Sequence, residues 1–254
     1  MTDFSIKDKK IIITGGSRGL GYGMAKALYE AGASLVIIAR DEKRLQECKT
    51  ELEKPDHSLY YVAADLGDKE SLTKAFQSSL ELLGGRIDVL VNCAGIQYRC
   101  PAVDFPAEKW ESILNLNLSS AFYMAQLAGK EMIRQGYGKI INIASMTSFF
   151  GSQLIPAYAA SKGGIMQLTK ALSNEWASYG VTVNAIAPGY METELTSDLK
   201  EKNPAQYEEV CGRIPAKRWG RPEDLAGIII FLSSAASDYI SGAIIPVDGG
   251  YLGK

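Results

Sequence analysis

Seven short runs of apolar, often β-branched residues recur along the chain and alternate with segments of mixed composition. The runs cover residues 10–14, 34–39, 58–66, 87–95, 139–145, 181–189 and 242–250. Several are apolar almost throughout, which is typical of strands buried on both faces of a parallel sheet. Intervening segments such as LGYGMAKALYEAG (20–32) favour helices that cross from one strand to the next. The pattern predicts a doubly wound α/β fold, with a parallel sheet between two helical layers.

Length and composition favour a single domain. The chain has 254 residues, of which 46% are hydrophobic, enough for one substantial core. Strand-like runs continue to the C-terminus without a linker, so we expect one domain over residues 1–254. The stretch 192–219 is polar and has no strand signal. We expect it to form a helical lid over a site, and a plain surface excursion is the alternative.

Charge and hydropathy limit the partners. The formal net charge is −2 and Lys and Arg form no dense cluster, which disfavours nucleic acid and anionic membranes. The apolar runs are far shorter than the roughly 20 residues of a membrane-spanning helix, and the first ten residues lack an apolar core. We therefore expect a cytoplasmic protein with a small-molecule substrate. Four cysteines without CxxC spacing and a single histidine argue against disulfides and a metal site.

A glycine-rich turn follows the first strand. The segment IIITGGSRGLGYG (11–23) places Gly15, Gly16, Gly19 and Gly21 between this strand and the next helix. Glycines there allow a tight turn and let backbone N–H groups approach a pyrophosphate at the positive end of the helix. The spacing from Gly15 is GxxxGxG and differs from the GxGxxG dinucleotide pattern, so a purely structural turn is the alternative.

The end of the second strand bears on the choice of nucleotide. An acidic residue there binds a ribose 2′-hydroxyl, whereas an arginine accommodates a 2′-phosphate. This strand is followed by Arg40, and Arg18 in the glycine turn adds a second guanidinium. Two guanidinium groups suit a phosphate dianion, so we predict NADP(H), with NAD(H) as the second choice. Asp41 weakens the inference because it could turn toward the ribose or pair with Arg40, and the two arginines could also be solvated surface residues.

Tyr158 and Lys162 stand four residues apart in PAYAASKGG, so a helix would present both on one face. A phenol has a pKa of about 10 and is a poor base at neutral pH, but a nearby cation favours the phenolate. The pair therefore suits proton transfer to and from a substrate oxygen. A core tyrosine beside an exposed lysine is the alternative.

Two more polar residues could complete this group. Ser145 ends the fifth strand-like run, and ligands of a doubly wound sheet bind beyond the carboxyl ends of its strands. Its hydroxyl could meet the Tyr158 phenol and a substrate oxygen. Asn117 lies in a predicted helix, where asparagine has poor propensity, which indicates either a polar role inside the fold or a satisfied buried amide.

Taken together, these motifs resemble the short-chain dehydrogenase/reductase family over essentially the whole chain. They are TGGSRGLG (14–21), NCAG (92–95), Asn117 in LNLNL (114–118), Ser145, YAASK (158–162) and PG (188–189). The resemblance implies a Rossmann-type fold with seven parallel strands in three α/β/α layers. It also implies a nicotinamide cofactor, an alcohol–carbonyl oxidoreductase activity and a homotetramer.

The resemblance also implies roles for individual residues. Tyr158 would be the acid/base, Ser145 would polarise the substrate carbonyl, Lys162 would lower the tyrosine pKa and bind the nicotinamide ribose, and Asn117 would hold a water that links Lys162 to solvent. The implied cofactor-binding residues are Gly15, Ser17, Arg18, Gly19, Leu20, Gly21, Arg40, Asp65, Leu66, Asn92, Ala94, Gly95, Tyr158, Lys162, Pro188, Gly189 and Thr193. Cys93 replaces the second Asn of the usual NNAG; we expect this to affect strand-stabilising bonds and to leave the chemistry untouched.

Three segments bear on the substrate: GIQYRCP (95–101), SMTSFFGSQLIPAY (145–158) and RIPAKRWGRPEDL (213–225). They are similar to the sugar-acid branch of the family, which includes gluconate 5-dehydrogenases and 2-deoxy-gluconate 3-dehydrogenases. Arg99 could bind a carboxylate, and Gln153 and Tyr190 could bind hydroxyls, beside Ser145 and Tyr158. A solvated Arg99 is the alternative.

Two other functions remain open at this point. Phe149 and Phe150 provide an apolar wall that a polyol does not need, so a 3-oxoacyl-[acyl-carrier-protein] reductase or a small-ketone reductase is the second reading. A non-catalytic nucleotide-binding regulator is the third. The complete set of Asn117, Ser145, Tyr158 and Lys162 argues against the regulator, because a binding protein need not keep all four.

Overall fold

The computed structural model describes residues 3–54, 57–193 and 203–253. Within them, parallel strands form a seven-stranded sheet in the order β3-β2-β1-β4-β5-β6-β7. The strands are β1 (Lys10–Thr14), β2 (Ser34–Ala39), β3 (Leu59–Ala63), β4 (Val89–Asn92), β5 (Gly138–Ile143), β6 (Val181–Pro188) and β7 (Ile244–Val247). Each falls within one of the seven apolar runs or begins one residue before it. The predicted fold class is confirmed.

Helices connect the strands on both faces of the sheet. They are α1 (Gly19–Glu30), α2 (Glu42–Leu52), α3 (Lys69–Leu82), α4 (Ala107–Leu114), α5 (Ser120–Gln135), α6 (Pro156–Trp176), α7 (Pro204–Arg213) and α8 (Ala226–Ser233). One π-helical turn, Asn115–Ser119, joins α4 to α5.

The side chains of a single strand pack in the cores on both faces of the sheet. In β1, Ile11 and Ile13 pack in a cluster that includes Met24 of α1, whereas Ile12 packs in a second cluster that includes Phe76 of α3. Successive residues of a strand point to opposite faces, so an unbroken apolar run is the pattern required of a strand covered on both sides. This explains why the runs predicted the strands.

The third strand is shorter than its apolar run, because the chain turns after Ala63. The Asp65 carboxylate accepts a hydrogen bond from the Gly67 N–H at 2.9 Å, and the Asp68 carboxylate caps α3 by accepting from the Ser71 N–H at 2.7 Å. Short-range carboxylate–backbone bonds of this kind compete with extension of a strand.

The strand order reverses direction between β1 and β4, since β1 leads outward to β2 while β4 leads the other way to β5. In open α/β sheets ligands bind at such a switch point, beyond the carboxyl ends of the strands. The glycine turn, the NCAG segment and Ser145 all follow strands at this edge.

The stretch predicted as a lid, 192–219, is described only in part, because residues 194–202 lie outside the described residues. The part that follows contains α7, whose Tyr207 stacks on the Trp219 ring with centroids 5.4 Å apart. No helix among the described ranges has the length and apolar character needed to cross a membrane.

Candidate active site

The glycine turn is packed too tightly for side chains at two positions. A Cβ atom on Gly21 would lie 2.1 Å from the Gly15 carbonyl oxygen, and one on Gly15 would lie 2.8 Å from Cα of Ala94. Gly15 also has a positive φ of 69°, which non-glycine residues rarely adopt. The turn therefore brings the start of α1 against the segment after β4.

The N-terminus of α1 has no side-chain cap and no acidic residue in its first turn. In contrast, α2 is capped by Asp41 and α3 by Asp68. The first N–H groups of a helix need partners, and they carry a partial positive charge. Among these three helices, α1 is the one whose N-terminus suits an external anion.

The Ser145 side chain lies close enough to the Tyr158 phenol to lower its pKa. Ser145 follows β5 and Tyr158 lies in the first turn of α6, so the contact joins two elements. The pKa of Tyr158 is raised by burial, and the effect of Ser145 opposes this only in part. A phenol beside a hydroxyl at the carboxyl edge of the sheet can exchange a proton with a ligand oxygen there.

Lys162 lies one helical turn beyond Tyr158 and is 5% exposed. Its Nζ atom lies 5.6 Å from the centroid of the Tyr158 ring and donates a hydrogen bond to the Ile143 carbonyl oxygen at 2.5 Å. Burial lowers the pKa of Lys162 to about 8. The predicted pairing of phenol and ammonium on one helix face is thus present, and the ammonium is tied to the last residue of β5.

Asn117 sits in the π-helical turn and is 2% exposed. Its side chain accepts from the Ile96 N–H at 2.8 Å and donates to the Ile96 carbonyl at 2.9 Å and to the Ser161 hydroxyl at 3.2 Å. Ser161 in turn donates to the Tyr158 carbonyl at 2.7 Å. The two readings of this residue are therefore compatible: the amide is buried and satisfied, and its partners belong to the same site.

Comparison with known proteins settles the family. A family profile described as Enoyl-(Acyl carrier protein) reductase matches residues 15–252. The 2-dehydro-3-deoxy-D-gluconate 5-dehydrogenase of Bacillus subtilis is 44% identical over 99% of this chain and 97% of its own. The chain belongs to the short-chain dehydrogenase/reductase family. It is accordingly an NAD(P)-dependent oxidoreductase that acts on CH–OH groups.

Two more relatives extend this result within the family. The 5-keto-D-gluconate 5-reductase of Escherichia coli is 38% identical over 98% of this chain and 97% of its own. A solved gluconate 5-dehydrogenase from Burkholderia cenocepacia, in complex with NADP and tartrate, superposes with a TM-score of 0.92 at 38% identity, covering 99% of this chain and 98% of its own. The resemblance stated from the motifs is confirmed.

The glycine turn fits the nicotinamide dinucleotide of this short-chain dehydrogenase/reductase. The uncapped N-terminus of α1 offers N–H groups for the pyrophosphate, and Gly19 faces Thr193, whose Cγ2 would lie 3.7 Å from a Cβ on Gly19. Ser17 is buried and Leu20 is partly buried beside Gly19, within the same turn. The predicted phosphate-binding residues are therefore gathered at one place.

Two residues that the motifs did not reveal fix this turn. The Ser17 carbonyl accepts a hydrogen bond from Nε of Arg44 at 3.2 Å and from Sγ of Cys48 at 3.1 Å, both from α2. Because the C=O and N–H of a trans peptide point in opposite directions, these bonds direct the Arg18 N–H away from α2. The sequence gives only a weak signal for Arg44 and Cys48, because an arginine and a cysteine four residues apart on a helix occur in many structural settings.

Arg18 and Arg40 are both exposed at this edge, as a phosphate-binding pair requires. Asp41, which weakened the nucleotide prediction, already has a hydrogen-bond partner. Its carboxylate caps α2 by accepting from the Arg44 N–H at 3.0 Å. That use of Asp41 removes the main sequence argument against a 2′-phosphate.

The residues predicted to bind the adenosine part of the cofactor differ in exposure and in hydrogen bonding. Leu66 is buried, and Asp65 is exposed with one carboxylate oxygen bonded to the Gly67 N–H. The Asn92 side chain is engaged inside the fold, where its amide donates to the Ala121 carbonyl at 3.2 Å and to Oδ1 of Asn142 at 3.0 Å. Any contact of Asn92 with a ligand is therefore left to its backbone.

The segment after β4 is held by Thr14, the first residue of the TGGSRGLG motif. Oγ1 of Thr14 accepts from the N–H groups of Cys93 and Ala94 at 3.1 and 3.2 Å. The Cys93 thiol lies near Lys162, whose charge lowers the thiol pKa, but burial raises that pKa to about 11 and dominates. The thiol therefore carries no charge at neutral pH. Gly95 is exposed, and a Cβ there would lie 3.2 Å from Oδ1 of Asn117.

The remaining predicted residues follow β4, β5 and β6 at the carboxyl edge of the sheet, which we call the mouth of the site. Pro188 ends β6, and the Gly189 N–H donates to the Val247 carbonyl at 3.0 Å. Arg99 and Gln153 are exposed on the loops after β4 and β5, which are joined where the Cys100 N–H donates to the Leu154 carbonyl at 2.8 Å.

Tyr190 belongs to an aromatic cluster at this mouth that brings in the C-terminus. Its ring lies 5.4 Å from that of Trp219 and 5.7 Å from that of Tyr251, measured between centroids, and Tyr251 lies 5.9 Å from Phe150. The pKa of Tyr190 is raised, mainly by burial and by Tyr251, and Arg213 and Arg99 oppose this only in part. Tyr251 and Arg213 were missed, because nothing local in the sequence relates them to Tyr190.

Proposed function

We propose that this protein transfers a hydride between NADP(H) and carbon 5 of a gluconate-type sugar acid, interconverting a secondary alcohol and a ketone. The observation that carries the reaction is the Lys162 Nζ atom 5.6 Å from the centroid of the Tyr158 ring, with the Ser145 side chain beside the same phenol. The choice of carbon rests on the relatives, whose names place their reactions at position 5 of 2-dehydro-3-deoxy-D-gluconate and 5-keto-D-gluconate.

In this proposal Tyr158 is the acid/base. During oxidation the phenolate takes the proton of the substrate hydroxyl, and during reduction the phenol returns a proton to the ketone oxygen. Ser145 donates a hydrogen bond to the same oxygen and stabilises the charge that develops on it. Bound nicotinamide supplies the hydride acceptor or donor.

Lys162 acts by its charge. A nearby ammonium favours the phenolate of Tyr158, against the burial that raises its pKa. We also propose that Lys162 binds the nicotinamide ribose and that Asn117 supports the loop at Ile96 and the water path to Lys162. The bond from Lys162 to Ile143 supports this by holding the ammonium at the end of β5.

We propose NADP(H) as the preferred cofactor and NAD(H) as the weaker one. Arg18 and Arg40 would bind the 2′-phosphate, and the use of Asp41 as a helix cap supports this. The remaining predicted cofactor residues keep the roles stated from the resemblance, except that Asn92 acts through its backbone.

For the substrate, we propose that Arg99 binds the carboxylate and that Gln153 and Tyr190 bind hydroxyls. The segment from α7 to Trp219 would form the lid, since Trp219 contacts Tyr190 at the mouth. The second candidate, an acyl-thioester or small-ketone reductase, is favoured by one observation: Phe149 is 45% exposed beside this mouth.

We also propose a homotetramer in the cytoplasm. The edge strand β7 is only partly buried, and α8 carries the partly buried Ile228, Ile230 and Phe231. A helix that is apolar nearly all round is expected to be covered. Light scattering at assay concentration should give four times the chain mass; a monomer would contradict this.

Nicotinamide absorbance tests the function directly. Gluconate, 5-keto-gluconate, 2-deoxy-gluconate, 2-dehydro-3-deoxy-gluconate and acetoacetyl thioester are each assayed with NAD(H) and NADP(H). Turnover of the sugar acids that is lost in Tyr158→Phe, with cofactor binding retained, is the expected result. Turnover of the thioester alone would replace the substrate assignment, and full activity of Tyr158→Phe would overturn the mechanism.

A further inference from the structure

Ser148 connects two of the residues that the proposed function assigns to catalysis. It ends a short 3-10 turn, Met146–Ser148, in the loop between β5 and α6, and it is 8% exposed. Its hydroxyl donates to the Lys162 carbonyl at 2.6 Å and accepts from the Ser145 N–H at 3.3 Å. A single hydroxyl therefore links the backbone of Ser145, at the start of the loop, to the backbone of Lys162 on α6.

The two bonds use the one proton of the Ser148 hydroxyl and one of its two lone pairs. A serine hydroxyl has one proton to donate, and Ser148 places it on Lys162 while a lone pair receives the Ser145 N–H. The backbone of the turn adds a third link, from the Ser148 N–H to the Ser145 carbonyl at 2.9 Å. The position of Ser145 relative to α6 thus depends on Ser148.

The Ser145 hydroxyl needs an accurate position, because Ser145 follows β5 whereas Tyr158 lies in α6. It accepts a hydrogen bond from the Thr147 N–H at 3.2 Å, and it lies close enough to the Tyr158 phenol to lower its pKa. Without Ser148 the loop would still be tethered by its backbone, but its side-chain link to the helix turn that carries Lys162 would be gone. The buried Ser145 N–H would also lose its partner.

We propose that Ser148 is a positioning residue: it locks the β5–α6 loop to α6 and so holds the Ser145 hydroxyl on the Tyr158 phenol in the geometry that the reaction requires. The proposal rests on the proposed function for the roles of Ser145, Tyr158 and Lys162. It goes beyond that function by assigning a task to a residue that touches none of the reacting atoms.

The test compares Ser148→Ala and Ser148→Thr with the unaltered enzyme on whichever alcohol is turned over. Small misplacements of catalytic groups cost up to about a hundredfold in rate, so Ser148→Ala should lower kcat by about ten- to a hundredfold. The KM for NADP should change little, because the phosphate-binding turn is elsewhere. Ser148→Thr keeps the hydroxyl and should recover most of the lost rate.

A second readout does not depend on activity. The ultraviolet difference spectrum between each form and its Tyr158→Phe counterpart isolates the titration of Tyr158. Because Ser145 lowers the Tyr158 pKa, displacing its hydroxyl in Ser148→Ala should move the Tyr158 titration to higher pH. This result can be obtained even if the sugar-acid assignment fails, so the two failures are distinguishable.

Ser79→Ala is the matched control. Ser79 is also a buried serine whose hydroxyl donates to a backbone carbonyl, that of Ala75 at 2.7 Å, but it lies in α3. It should leave kcat and the Tyr158 titration unchanged. The proposal is overturned if Ser148→Ala keeps its kcat and its titration, or if Ser148→Ala and Ser79→Ala lose rate in proportion to their loss of thermal stability.

Discussion

The side chain of Asn117 forms two hydrogen bonds with the backbone of one residue, Ile96, accepting from its N–H at 2.8 Å and donating to its carbonyl at 2.9 Å. This pairing fixes the loop that leads from the NCAG segment to Arg99. It also explains why an asparagine occupies a helical position that other residues would fill with better propensity. The π-helical turn, whose hydrogen-bond pattern departs from the α-helix, is where this side chain is placed.

Asn117→Ala should therefore lower both stability and turnover. It leaves the partly buried N–H and carbonyl of Ile96 without their side-chain partner, at a cost of about 2 kcal/mol in the free energy of unfolding. Chemical denaturation and kcat measure the two effects. Asn115→Ala is the control, because the exposed Asn115 donates to the Gly67 carbonyl and should change kcat little. Equal losses in both variants would contradict a specific role for Asn117.

The buried Lys162 should make stability depend on pH in a defined direction. Its pKa is about 8 in the folded chain and near 10.5 when unperturbed, so between these values the unfolded chain binds more protons. Stability then rises with pH across this interval, and the gain is up to about 3 kcal/mol at about 1.4 kcal/mol per pKa unit.

Lys162→Met removes this dependence. The free energy of unfolding of the enzyme minus that of the variant should increase as pH rises from about 8 toward 10.5. Lys170→Met, an exposed position on the same helix, should give a difference that is flat with pH. A flat difference for Lys162→Met as well would mean that its ammonium is not destabilised by burial.

Arg40→Ala should shift the cofactor preference from NADP toward NAD. Loss of a guanidinium on the 2′-phosphate should raise the KM for NADP about tenfold or more and leave the KM for NAD nearly unchanged. Lys43→Ala removes an exposed positive charge nearby on α2 and serves as the control for long-range electrostatics. A parallel rise in both KM values would place Arg40 away from the phosphate.

Asp41→Ala separates capping from nucleotide choice. The cap of α2 would be lost, costing about 1 kcal/mol in the free energy of unfolding. The ratio of the KM values for NAD and NADP should stay the same, because the Asp41 carboxylate is bonded to the Arg44 N–H. A variant that loses NAD binding selectively would show that Asp41 reaches the ribose after all.

Gly21→Ala should abolish cofactor binding or folding, because the new methyl would lie 2.1 Å from the Gly15 carbonyl oxygen. Gly163→Ala is the matched substitution in a helix with nothing within 4 Å of the new atom. It should stabilise the chain by about 0.5–1 kcal/mol, since alanine is favoured over glycine in helices. Fluorescence titration with NADPH and thermal melting measure both, and NADPH binding by Gly21→Ala with unchanged affinity would contradict the close packing of this turn.

The sequence by itself determined the sheet and the pairing at the centre of the site. Apolar runs such as IIIT predict strands because both faces of a parallel sheet are buried, and this requirement is local to each strand. The spacing of Tyr158 and Lys162 likewise fixes their common face, because an α-helix repeats every 3.6 residues. The motif order then identified the family before any contact was known.

Only the tertiary structure decided which polar groups already have partners. Asp41 caps α2, the Asn92 amide bonds Asn142 and Ala121 inside the fold, and Ser148 links Ser145 to Lys162. Tyr251 reaches Tyr190 from the end of the chain. A hydrogen bond or ring contact depends on distances of a few ångströms between elements that are far apart in sequence, so no periodicity or spacing along the chain encodes it. Tertiary packing sets those distances, and with them the geometry of the site.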